Sequence, residues 1–339
     1  MLAGLVSGSA AAQSPTGPPD RPAVPVSATK ARADAHPAAD GSVLTTAVPG
    51  ASRALAVTVH SAAMNIPVRL EVLPAPDHSR RAPTVYLLNG IDGGADGNWS
   101  NRTDIARFFA DKQVNVVVVF GGAGSYFTDW RADDPVLGRQ RWTTFLTREL
   151  PPIIDSAFGG SGANAIAGVS MAGTSVFQLA LAAPHLYKAI GSYSGCVRTS
   201  DPQGQLLVDA VVSGGRGNAV NMWGPPTDPA WADNDPYLHA DRLRGTAIYV
   251  SSGTGTPGAL DTLDGPGIGS SPAKLADQLL VGGAIETGAV GCTRELRTRF
   301  TDLGIPATFD LRPNGTHSWG YWQQDLHNSW PIFAAALGI

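Results

Sequence analysis

Asn164-Ala-Ile-Ala-Gly-Val-Ser-Met-Ala-Gly173 is an apolar run that closes on small residues around a single serine and then gives way to a helical pattern. It reads as a strand, a sharp turn and a helix, with Ser170 at the turn. Small residues at Gly168, Ala172 and Gly173 allow a bend tight enough to leave the hydroxyl exposed at the end of a sheet strand, which is the mechanical requirement of a nucleophile elbow. Ala172 stands where G-x-S-x-G has its second glycine. A serine that merely caps a helix is therefore the rival reading of the stretch.

Outward from this turn the chain alternates. Apolar runs at Thr84–Leu88, Asn115–Phe120, Ala163–Gly168, Ala189–Tyr193, Ala247–Ser251 and Ala307–Leu311 suit strands buried on both faces. Helical patterns at Asp104–Lys112, Trp142–Ala157, Ser175–Ala183, Lys274–Leu280 and Glu295–Leu303 separate most of them. Such alternation predicts an α/β fold with a mostly parallel central sheet and helices on both faces. Period-two patterns at Leu55–His60 and Ile66–Val72 predict an antiparallel edge hairpin ahead of it, and residues 201–243 read as an irregular insertion.

Composition bounds the function. The 339 residues are 43% hydrophobic and only 15% charged, with a formal net charge of −4, which gives no basic surface for nucleic acid. Residues 1–12 read as the apolar end of a secretory signal, without a basic start, and 13–42, rich in Pro, Ala, Ser and Asp, as a disordered leader. A single α/β domain is expected over 43–339. The signal-like start makes secreted or cell envelope the expected location, and no apolar run reaches the roughly 20 residues a membrane span requires, so no stable membrane span is expected.

A serine hydroxyl needs a base to take its proton, and an imidazole serves best when a carboxylate fixes its tautomer. In α/β-hydrolases the order along the chain is serine, acid, histidine, the last on a loop after the final strand. Of the seven histidines, His317 in Arg312-Pro-Asn-Gly-Thr-His-Ser-Trp319 has that place. For the acid, Asp261, Asp264, Asp277 and Glu286 are all available by position. Glu286 is distinctive as a lone carboxylate in Gly282-Gly-Ala-Ile-Glu-Thr-Gly288. Oxyanion donors would be the backbone amides of Met171 and of Ile91 in the glycine-rich loop Leu88–Gly94. That loop lacks the Lys-Ser/Thr ending of a phosphate-binding loop, and the chemistry requires neither a metal nor a cofactor.

Several strings together resemble the actinobacterial mycolyltransferases, the antigen 85 group and its corynebacterial relatives: Tyr86-Leu-Leu-Asn-Gly90, Tyr126-Phe-Thr-Asp-Trp130, Trp142-Thr-Thr-Phe-Leu-Thr147, Gly168-Val-Ser-Met-Ala-Gly173, Asn221-Met-Trp-Gly-Pro225, Asp228-Pro-Ala-Trp231 and Asn314-Gly-Thr-His-Ser-Trp319. The resemblance implies an α/β-hydrolase esterase with Ser170 as nucleophile, Glu286 as acid, His317 as base and Ile91 and Met171 as oxyanion donors. It implies transfer of a mycolyl group from trehalose mycolates or related acyl glycolipids, through an acyl-serine, to trehalose or another cell-envelope acceptor. The alternative is a carboxylesterase whose acceptor is water. Where the mycobacterial members carry Asp-Gly-Leu-Arg this chain has Asn89-Gly-Ile-Asp92, closer to the corynebacterial branch, so Asn89 and Asp92, with Trp319 as an aromatic wall, are the expected sugar contacts; Trp223 and Trp231 are further candidates for a sugar platform. Cys196 and Cys292, both placed near the carboxyl edge of the sheet, are expected to form a disulfide, since export favours oxidation.

Overall fold

A computed structural model describes residues 25–339; the expected signal remnant, 1–12, and the first part of the expected leader lie outside them. One nine-stranded sheet runs through the protein in the order β1-β2-β3-β5-β4-β6-β7-β8-β9. Its strands are β1 Val43–Pro49, β2 Leu55–Ser61, β3 Ile66–Leu73, β4 Ala82–Leu88, β5 Asn115–Val119, β6 Gly160–Val169, β7 Tyr187–Tyr193, β8 Ala247–Ser252 and β9 Thr308–Leu311. β1 to β3 and the β3–β5 junction pair antiparallel, and every pairing from β5 to β9 is parallel. Every residue of β4 and of β5 is buried, as continuous apolar runs require when helices cover both faces.

The sequence-based elements and the structure differ in four places. Residues 28–34, inside the expected disordered leader, form a helix capped by the Ser27 side chain on Lys30 N, with Ala31 fully buried; a short Ala-rich stretch gains enough from packing one face to order despite its composition. β1 has the weak pattern of an edge strand, exposed or half-exposed throughout except at Ala47, so period-two reading passes over it. The insertion is largely helical: Pro202–Gly214 starts at Asp201, whose carboxylate accepts from Gln203 N and Gly204 N, with proline in the first turn, where its missing N–H costs nothing. The two helices expected at Lys274–Leu280 and Glu295–Leu303 are joined, because the glycine-rich stretch around Glu286 is itself helical: Gly283–Leu303 follows directly on a π-turn, Gln278–Gly282.

β4 has parallel neighbours on both sides, β5 and β6, whose connections leave in opposite directions. Loops following strands on either side of such a switch point diverge and open a crevice at the carboxyl edge. The loops after β4, β6, β7, β8 and β9 all meet there.

Candidate active site

Ser170 links β6 to the helix Met171–Ala182 with φ 56° and ψ −124°, a backbone conformation that costs a non-glycine residue on the order of 1–3 kcal/mol and persists only where the surroundings over-determine it. Those surroundings are visible. A Cβ on Gly168 would lie 2.6 Å from the Ala172 carbonyl oxygen, and one on Gly173 would lie 2.9 Å from Gly195 Cα, so strand, helix and the segment after β7 close on one another at glycine backbone. Ser170 N–H donates to Tyr193 O at 2.9 Å. Ala172 is fully buried where the common motif has glycine, and nothing at that position requires more room. The Ser170 side chain makes no cap hydrogen bond with its helix, which disposes of the helix-cap reading and leaves the hydroxyl facing a cavity.

Opposite stands Glu286, in the first turn of Gly283–Leu303 and wholly buried. Its Oε2 accepts from His317 Nδ1 at 2.8 Å. Its Oε1 accepts from Ser194 Oγ (2.8 Å), Ser252 Oγ (3.0 Å) and Gly253 N (2.5 Å). Burial pushes this carboxyl up, but the hydrogen bond and charge of His317, with the Gly253 and Ser194 donors, outweigh burial and hold it below the usual glutamate range. An ionised Glu286 can only accept, so it fixes the Nδ1–H tautomer of His317 and leaves Nε2 as an acceptor. The imidazole is boxed in by Trp322, whose ring stands perpendicular to it at 4.9 Å.

Of the other acid candidates, Asp264 and Asp277 are exposed. Asp261 braces the histidine loop: it accepts from Thr316 Oγ1 at 2.5 Å, Gln278 Nε2 at 2.7 Å, Tyr321 OH at 2.8 Å and Gly258 N at 2.7 Å. Every donor it serves lies around His317, none on it.

The glycine-rich loop after β4 passes over Ser170: a Cβ on Gly90 would sit 3.6 Å from Ser170 Cβ. Ile91 is 38% exposed at its crest, and its carbonyl accepts from Gly124 N. Met171 is the first residue of the serine's helix, where backbone N–H groups have no intrahelical partner; its sulfur accepts from Tyr126 N.

The expected sugar contacts divide. Asn89 is not available to a ligand: it is fully buried, its Nδ2 donates to Val119 O and its Oδ1 accepts from Trp99 N, so it pins the loop to β5. Asp92 turns back on its own loop, accepting from the amides of Gly94, Asp96 and Gly97. Both residues are held by long-range or loop-internal partners that a motif comparison does not show. Trp319 does reach the site, edge-on to Trp99 and Trp322 at 5.4 and 5.0 Å. Trp223 and Trp231 pack on each other in the core of the insertion.

Two cavities meet at the imidazole. One, of about 150 Å³, contains Ser170 and is apolar beyond it, walled by Tyr126, Met171, Leu207, Val211 and Ala289. The other, of about 650 Å³, is an open groove floored by Trp319 and edged by Asn101, Arg102, Lys274 and Gln278. His317 and Ile285 line both. Cys196 and Cys292 form a disulfide, with Cα atoms 5.1 Å apart, that ties the segment after β7 to the acid-bearing helix beside the smaller cavity.

Comparison with known proteins shows the family. The family described as "Putative esterase" matches residues 61–331. Diacylglycerol acyltransferase/mycolyltransferase Ag85A of Mycobacterium leprae is 31% identical over 300 residues, 80% of this chain and 84% of that protein. The corresponding Ag85B of Mycobacterium intracellulare is 33% identical over 272 residues, 76% of each chain. Among solved structures, MPT51 (FbpC1) of Mycobacterium tuberculosis superposes with a TM-score of 0.67 at 28% identity, covering 82% of this chain and 96% of that one. An S-formylglutathione hydrolase from Agrobacterium tumefaciens, at 17% identity and TM-score 0.61 over 87% of this chain and 99% of that one, shares the fold. The chain is thus an enzyme of the acyltransferase and esterase kind and belongs to the antigen 85 mycolyltransferase family of α/β-hydrolase esterases.

Proposed function

We propose that this protein is an exported serine acyltransferase that moves a mycolyl or similar long-chain acyl group to trehalose or another cell-envelope hydroxyl. The observation that carries the reading is His317 standing between a small apolar cavity that holds Ser170 and a larger open groove in which Trp319 and other apolar side chains are joined by Asn101, Arg102, Lys274 and Gln278. A base shared by an acyl pocket and a hydroxyl-binding groove serves both halves of a transfer.

Ser170 Oγ attacks the ester carbonyl while His317 Nε2 takes the serine proton. The oxyanion is met by the amides of Met171 and Ile91. Collapse breaks the ester C–O bond, the departing alkoxide takes the proton from His317, and the acyl group remains on Ser170. An acceptor hydroxyl in the groove then gives its proton to His317 and attacks the acyl carbon, and the returning proton restores Ser170. The Glu286 carboxylate stays ionised throughout and stabilises the imidazolium. Trp319 offers a sugar ring an apolar face, with Asn101, Gln278, Arg102 and Lys274 around it for hydroxyl contacts. Export is supported by the kinship with the mycolyltransferases and by the disulfide, a bond that persists in oxidising compartments; among the described residues no helix is long and apolar enough to cross a membrane.

The test is incubation of the purified protein with a trehalose mycolate and labelled trehalose. Label in the glycolipid fraction, lost in Ser170→Ala, is the expected result. Release of free fatty acid with no acylated sugar would replace transferase by carboxylesterase.

A further inference from the structure

We infer that Ser194 and Trp322 are positioning residues of the catalytic triad, a two-step hydrogen-bond chain that reserves one oxygen of Glu286 for the histidine. Ser194 follows β7 with φ 56°, a second strained serine one strand away from Ser170. Its amide is tied to Ser251 O at 2.8 Å, on β8. Its hydroxyl accepts from Trp322 Nε1 at 3.0 Å and stands 2.8 Å from Glu286 Oε1. Chemistry fixes the direction of this chain: an indole N–H can only donate and an ionised carboxylate can only accept, so the single Ser194 proton points at Glu286. All three groups are buried, and each has its partner supplied by another element.

With Ser252 and Gly253 also on Oε1, that oxygen is filled and the carboxylate plane is fixed, leaving Oε2 to His317. Trp322 contributes twice, since the ring that donates to Ser194 is also the wall against the imidazole. The charged groups facing Glu286 are His317 from the loop after β9 and Arg312, whose Nη2 is 3.8 Å from Oε1. Asp325, on the C-terminal helix Trp319–Leu337, pairs with Arg312 and is near enough to Glu286 for the two carboxyl groups to repel. Arg312 is beyond hydrogen-bond distance, so it supplies charge, whereas Ser194 supplies direction.

The inference rests on the triad assigned above, and its test separates the two. Ser194→Ala deletes the buried hydrogen bond to the Glu286 carboxylate, worth roughly 1.5–3 kcal/mol, and leaves Trp322 Nε1 without its acceptor; the expected loss in kcat for a short ester is about 10- to 150-fold, with KM changed far less. Because the Glu286 charge is then less shared and more available to the imidazolium, the acidic limb of the kcat/KM profile moves to higher pH. Trp322→Phe keeps an aromatic wall and removes only the donor, so its loss is smaller, and the double variant is no worse than Ser194→Ala because both act through one chain. The proton between His317 Nδ1 and Glu286, observed by NMR without substrate, is displaced in Ser194→Ala. A uniform fall in rate with an unmoved pH limb, an unshifted proton resonance, or additive losses in the double variant would each overturn the inference. Absence of any turnover by the wild-type protein would count against the proposed function, while the proton resonance still decides the role of Ser194.

Discussion

Replacing Glu286 by Gln keeps the size of the side chain and removes only its charge and one acceptor, and the surrounding donors dictate how the amide must sit. Oε1 meets the fixed N–H of Gly253 and the Ser194 hydroxyl, itself driven toward it by Trp322. The amide oxygen therefore takes that side, and the NH2 turns toward His317 Nδ1. Two donors cannot share a hydrogen bond, so the imidazole shifts its proton to Nε2 and can no longer accept one from Ser170. A wrong tautomer in a triad of this kind costs on the order of 10⁴ in kcat, about 5 kcal/mol. The fold should survive, because three of the four donors around the carboxylate keep an acceptor. The assay is the acylation burst with a chromogenic short ester at micromolar enzyme, together with circular dichroism and a thermal midpoint to establish folding. A folded Glu286→Gln protein within threefold of wild-type burst rate would refute the tautomer argument and with it the assignment of the acid. Glu286→Asp keeps the charge on a shorter arm, and it should retain more activity than the amide although it disturbs the packing more.

Gly173→Ala should remove the ester burst and cost on the order of 1–3 kcal/mol in urea unfolding, because the added methyl meets Gly195 Cα at 2.9 Å, backbone that cannot rotate away; a fully active Gly173→Ala protein would show that the elbow tolerates opening. Reducing the Cys196–Cys292 bond releases a loop of 96 residues and should lower stability by about 2–4 kcal/mol, with loss of ester turnover preceding global unfolding, read by comparing activity with tryptophan fluorescence in dithiothreitol. Asp325 is fully buried, and burial, against the pull of the Arg312 charge and Ser251, pushes its carboxyl up to about 7. A carboxyl raised in the folded state contributes stability that is complete below its unfolded pKa, roughly 4, and is lost as pH rises through about 7. Wild-type stability should therefore fall relative to Asp325→Asn between pH 5 and pH 8, whereas a constant difference in urea midpoints across that range would contradict the burial argument.

Much of this was legible in the chain itself, for reasons specific to each element. β4, β5 and the second half of β6 are near-continuous apolar runs because both faces are covered, and that pattern survives in any local window. Ser170 and His317 sit in short segments whose neighbours, Gly168, Gly173 and the Asn314-Gly315 turn, carry their own geometry. Glu286 is different. Position left it level with Asp261, Asp264 and Asp277, its isolation among uncharged residues marked it without deciding, and the family resemblance favoured it, because an acid is defined by what it faces across the sheet. Asp261 lies in an equally suitable loop and became a brace beneath Thr316 and Tyr321. Ser194 carried no signal beyond being a serine after a strand.

Local chemistry alone determined the strand–turn–helix at Ser170, the alternation that makes a parallel sheet, and the histidine at its end, since each depends on residues within about one turn or strand of one another. The tertiary structure decided which carboxylate faces His317, that Asn89 is a buried pin and not a sugar contact, and that Ser194 and Trp322 meet behind Glu286. Those outcomes depend on separations of 31 residues between Glu286 and His317, 30 between Asn89 and Val119 and 128 between Ser194 and Trp322. No local pattern encodes such a contact, because the same side chain costs free energy when buried alone and becomes stable only when a partner from another strand or helix arrives to satisfy it.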